Sequence, residues 1–93
     1  MALTHSTIEL DGSPTIVSVD TGIIAAKPID VSIQNLDSSA TVYIGSITVT
    51  TTSYGAAIGP GELLTITALP WRDELYAVTD TPGSKVAVLR IDR

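Results

Sequence analysis

Val42-Tyr43-Ile44-Gly45, Ile47-Thr48-Val49-Thr50, Tyr54-Gly55 and Ile58-Gly59-Pro60-Gly61-Glu62 decide the fold of this chain. They read as two short strands, a loop, and a tight turn that launches another strand. Pro60 sets φ near roughly −65° and the flanking glycines tolerate positive φ, which is turn chemistry. Nothing in the stretch supplies a nucleophile, a base or a metal ligand.

Upstream, Ile29, Val31 and Ile33 alternate with Asp30, Ser32 and Gln34, the period-two pattern of a strand buried on one face. Asn35-Leu36-Asp37-Ser38-Ser39 reads as a turn, and residues 41–44 as the antiparallel partner, with Val42 and Ile44 inward and Thr41 and Tyr43 outward. Downstream, residues 63–69 form a strand ended by Pro70, and Trp71-Arg72-Asp73-Glu74 is one helical turn or a wide loop. Residues 75–79 and 85–91 then close the chain as a hairpin around Asp80-Thr81-Pro82-Gly83-Ser84.

Residues 15–19 are β-branched and read as a further strand, while 22–28 is a strand or a connector that Pro28 keeps out of a sheet centre. Residues 1–13 carry few apolar side chains and end in Asp11-Gly12-Ser13-Pro14, so they are expected as an N-terminal arm preceding a domain over 14–93. About seven short strands at regular spacing, with no long helix, specify an all-β fold: a small antiparallel β-sandwich or barrel.

Composition bounds the function. A chain of 93 residues makes one domain with a modest core, burying about two-thirds of its unfolded surface, so added burial against a partner is expected. The apolar share of 44% comes from Ile, Val, Leu and Ala, with one Trp and no Phe, so the core layers are thin and aliphatic. A net charge of −5 with five Lys and Arg leaves no basic face for a phosphate backbone, which excludes nucleic acid. Residues 1–26 hold Glu9, Asp11 and Asp20 and no Lys or Arg. No apolar run approaches the roughly 18 residues of a membrane span. The first residues lack the basic and apolar regions of a secretory signal, pointing to cytosolic synthesis.

Catalysis finds little support. His5 is the single histidine and falls in the expected arm, where nothing holds an imidazole against a hydroxyl. Asp73 and Glu74 are adjacent and lack cation-wrapping spacing, and no cysteine is present, so neither metal nor cofactor is expected. In Gly59-Pro60-Gly61 the proline removes an N–H that a phosphate cradle needs. Tyr43, Tyr54, Trp71 and Tyr76 form a sugar-stacking platform only if they converge; the simpler reading makes them large core and interface residues. Leu3, Ile8, Ile23, Ile24, Tyr54 and Trp71 are the expected interface residues.

Asp30-Val31-Ser32-Ile33-Gln34-Asn35, Thr41-Val42-Tyr43-Ile44-Gly45, Val49-Thr50, the Pro60-Gly61-Glu62 turn and Leu75-Tyr76-Ala77-Val78 resemble, in order and spacing, small virion structural proteins of tailed bacteriophages. The resemblance spans about residues 29–91. It implies a non-enzymatic capsid decoration or cementing protein on the outer head surface, with the major capsid protein as partner and oligomers, trimers among them, at seams between capsid subunits. The alternatives are another virion module, such as a head fibre, tail or receptor-binding protein, and a bacterial Ig-like surface adhesion module.

Overall fold

The computed structural model describes residues 2–17, 29–69 and 74–92. Eight strands occupy them: β1 (Ala2–Glu9), β2 (Thr15–Ile16), β3 (Ile29–Asn35), β4 (Val42–Gly45), β5 (Ala56–Ile58), β6 (Leu63–Leu69), β7 (Tyr76–Thr79) and β8 (Lys85–Asp92). No helix occurs among the described residues. Two four-stranded antiparallel sheets, ordered β1-β8-β3-β6 and β2-β7-β4-β5, make a β-sandwich. Pairing is nested: β1 with β8, β2 with β7, β3 with β6 and β4 with β5. One long folded hairpin, rolled so that its halves face each other, is a jelly roll.

The all-β sandwich follows the sequence expectation, but the hairpins do not. β3 and β4 lie in different sheets, and so do β7 and β8. Val31 and Ile33 therefore meet Val42 and Ile44 across the core instead of beside them on one sheet, in a cluster completed by Leu10, Val17, Ile58, Leu69, Ala77, Val86 and Val88. Both pairs bury, as the alternation requires; strand periodicity states which side chains turn inward and is silent on which sheet they belong to.

Asn35 makes the crossover from β3 to β4. Its carboxamide is fully buried and its Nδ2 donates to the carbonyls of Ala40 (2.8 Å) and Ile58 (3.1 Å). Its Oδ1 accepts from the Asp37 N–H at 3.0 Å. Asp37 Oδ2 then accepts from the N–H groups of Ser39 (2.9 Å) and Ala40 (2.7 Å). Those backbone donors, Ser39 first and Ala40 second, hold the Asp37 carboxyl below its ordinary 3.8. The chain spends its side-chain hydrogen bonds on turning a corner.

Two Pro-Gly turns stand opposite such corners. In Gly59–Glu62 the Glu62 N–H donates to the Gly59 carbonyl (3.0 Å) and Gly61 takes φ 73°; in 81–84 the Ser84 N–H donates to the Thr81 carbonyl (3.2 Å) and Gly83 takes φ 95°. Proline before a positive-φ glycine is the type II arrangement. Each turn grips the end of a strand in the same way. Asn35 exchanges bonds with Gly61 and Glu62 (3.1 and 3.0 Å), and Leu10 with Gly83 and Ser84 (2.9 and 2.8 Å).

Three elements differ from expectation. Ala2–Glu9, where an arm is expected, pairs with β8 along its whole length as an edge strand. Residues 47–50, expected as a strand, lie in the β4–β5 loop, because the Val49 N–H folds back onto the Ser46 carbonyl at 2.9 Å and Val49 is buried. Ala56 and Ala57, the end of the loop expected over 51–57, belong to β5. The connector at 22–28 and the expected turn at 71–73 lie outside the described residues.

Candidate functional site

Residues paired across an antiparallel sheet share a face. In the sheet β1-β8-β3-β6 the outward rows are His5, Leu89, Ser32 and Thr65, then Thr7, Ala87, Gln34 and Leu63, with Leu3, Ile91 and Asp30 nearer one end. Glu9 and Lys85 pair at the other end. The two middle rows contain no charged side chain. They do expose aliphatics, Leu63 at 62% and Leu89 at 40%, and Leu3 beyond them is 65% exposed. A groove of about 290 Å³ runs over the small side chain of Ala87, between Leu63, Leu89, Thr7 and Gln34.

The edges of this sheet are long. Among the described residues no strand pairs with the outer side of β1 or of β6. β6 reads Leu-Leu-Thr-Ile-Thr-Ala-Leu with neither charge nor proline, and β1 carries no Asp, Glu, Lys or Arg until Glu9 at its end. Soluble sheets ordinarily blunt such edges with Lys, Pro, bulges or short length; of these devices β6 has only a register shift near its end, between the Val31–Ile66 and Ile29–Leu69 pairs. The other sheet uses short length, its edges β2 and β5 having two and three residues.

On that second sheet a smaller polar pocket of about 110 Å³ is lined by Gly45, Ser46, Thr48, Ser53, Tyr54 and Gly55. Tyr54 lies against Tyr43 with ring centroids 4.7 Å apart and planes tilted by 48°. Tyr76 donates its hydroxyl to Glu74 at 2.6 Å, and that bond, with burial and the carboxylate's charge behind it, raises the phenol pKa above 10.0. Of the four aromatics, Tyr43 and Tyr54 come together and Trp71 lies outside the described residues. Among the described residues, no three His, Cys, Asp or Glu side chains are grouped to hold a metal, and no helix is long and apolar enough to cross a membrane.

The expected interface residues are dispersed. Leu3 points outward from β1, whereas Ile8 packs against the core and Tyr54 belongs to the β4–β5 loop of the other sheet. Ile23, Ile24 and Trp71 lie outside the described residues. Sequence reading missed Leu63 and Leu89, although a signal exists: each is an apolar residue out of phase with the inward positions of its strand. Buried Arg90, in register with Val31 on the inward face of β8, is the converse case.

Comparison with known proteins adds one fold-level likeness. No family model and no curated protein sequence matches the chain. A solved structure from the Bacillus endospore appendages, described as a family of disulfide-linked pili, superposes with a TM-score of 0.55 at 14% identity, covering 98% of this chain and 85% of that one. The likeness is one of fold. It corrects the expectation drawn from the phage resemblance: the solved structure that shares this fold is an endospore appendage. Neither the outer capsid surface nor a capsid partner is supported. The physical reason lies in the motifs. Val-Tyr-Ile-Gly is an inward–outward strand ending at a glycine, and Pro-Gly-Glu is a type II turn, so both report local strand and turn geometry and say nothing about a virion.

Proposed function

We propose that this chain is a non-enzymatic structural subunit that polymerises with copies of itself into a surface filament outside the cell. The observation that carries the reading is the pair of long, proline-free edges on one sheet, in which Glu9 at the end of β1 is the one Asp, Glu, Lys or Arg. β1 of eight residues and β6 of seven are matched in length, so β1 of one copy can continue the sheet beyond β6 of the next. The two edges are different surfaces, and a contact between different surfaces repeats head to tail into an open chain unless rotation closes it. A fold shared with an appendage that forms pili supports the same reading. This sequence has no cysteine, so these 93 residues hold no counterpart of the disulfide linkage named for that appendage.

Negative-stain electron microscopy and sedimentation velocity of the purified chain test this reading. Concentration-dependent linear polymers are expected. Leu3→Lys on β1 and Thr67→Lys on β6, both exposed, should shorten or abolish them by placing a charge at the edge. A wild-type chain that stays monomeric at every concentration refutes the proposal.

A further inference from the structure

We infer that the groove over Ala87 is the receptor for a second copy of this chain, whose Ile47 enters it as a knob. This rests on the self-assembling reading and names a contact that the strand edges do not provide. Ile47 is 64% exposed at the apex of the Ser46–Val49 turn. The turn is held in shape. The Val49 N–H donates to the Ser46 carbonyl at 2.9 Å, the Ser46 and Thr48 hydroxyls lie 2.9 Å apart, and buried Val49 anchors the far side. A β-branched aliphatic on a preorganised polar turn costs little ordering entropy on docking.

The receptor has complementary properties. Its volume of about 290 Å³ exceeds the roughly 150 Å³ of an apolar cavity that holds benzene, so a branched aliphatic side chain fits with part of its loop. Leu63 and Leu89 give apolar walls, Ala87 the floor, and Thr7 and Gln34 a polar rim. Neither contact surface opposes a second copy electrostatically. In a chain of net −5, residues 41–61 contain no Asp, Glu, Lys or Arg, and the middle rows of the receiving face contain none either. Joining two neutral patches lets like-charged copies approach without setting carboxylates against each other. The knob belongs to the loop between β4 and β5, while the groove is the outer face of the opposite sheet, so the core separates them within one copy. The contact is therefore intermolecular and head to tail.

Sedimentation velocity of the full chain, with circular dichroism as the fold control, tests the pairing. Ile47→Glu and Leu89→Arg should each raise the concentration for half-assembly by about tenfold to a hundredfold, the worth of one buried aliphatic. Leu89 lies on central strand β8, so its replacement leaves both sheet edges untouched. The double variant Ile47→Glu/Leu89→Arg should recover assembly, because opposite charges now meet at the contact. Ile47→Thr and Leu89→Thr give the same direction with less risk to the fold. Single variants that assemble like wild type overturn the pairing while leaving edge-to-edge assembly standing. Single losses without recovery in the double variant overturn it as well, and a monomeric wild type overturns both readings together.

Discussion

Replacing Asn35 by Ala should cost about 3 kcal/mol, the sum of three hydrogen bonds at about 1 kcal/mol each with a larger share wherever a buried carbonyl loses its donor. The structure sets that magnitude. The Asn35 side chain is fully buried, its amide serves the Ala40 and Ile58 carbonyls at 2.8 and 3.1 Å, and its oxygen takes the Asp37 N–H at 3.0 Å. Alanine leaves all three partners behind and admits no donor in their place. For a domain of this size each kcal/mol moves Tm by roughly 4–8 °C, so a fall of about 12–24 °C is expected by circular dichroism. Asn35→Asp is the sharper comparison. It keeps the acceptor for Asp37 but places a carboxylate against two carbonyls in the core, so near neutral pH it should be less stable than Asn35→Ala. In acid the introduced carboxyl takes up a proton and regains one donor, and the order of the two variants should narrow or reverse. Urea midpoints of both variants across pH decide it. A loss below about 1 kcal/mol for Asn35→Ala would show that the corner does not depend on this carboxamide.

The core and the corner offer two more tests. Val42→Asp buries an unpaired charge at a fully buried position and should cost several kcal/mol, about 3 or more, whereas Thr41→Asp at a half-buried position should cost much less; equal shifts in Tm would refute the facing. Asp37 has its pKa lowered on folding by the Ser39 and Ala40 N–H groups, so its contribution is present above 3.8 and fades as pH falls through the lower folded value. The stability difference between wild type and Asp37→Ala should therefore be full at neutral pH and shrink in strong acid, and a pH-independent difference in urea midpoints would contradict the assignment.

Local chemistry was legible in the residues alone. Period-two alternation at Val31 and Ile33 and at Val42 and Ile44 is a property of the pleat, so the inward side of each strand can be read without a structure. The two Pro-Gly turns are legible for the same reason, since φ preferences act within a few residues. Which sheet each strand joins came from long-range pairing. Asn35 looks like a hairpin turn residue in sequence, and its buried bonds to Ala40 and Ile58 make it a crossover, a fact that depends on a carbonyl 23 residues away. The edge strand β1 was hidden because polar Thr4, His5, Ser6 and Thr7 carry no hydrophobic signal, and pairing with the distant β8 is what makes a strand of them. The open edges and the neutral groove were hidden likewise. Leu63 and Leu89 are out of phase with the inward positions of their strands, which marks each as outward, but that they flank one groove over Ala87 depends on the register between β8, β3 and β6.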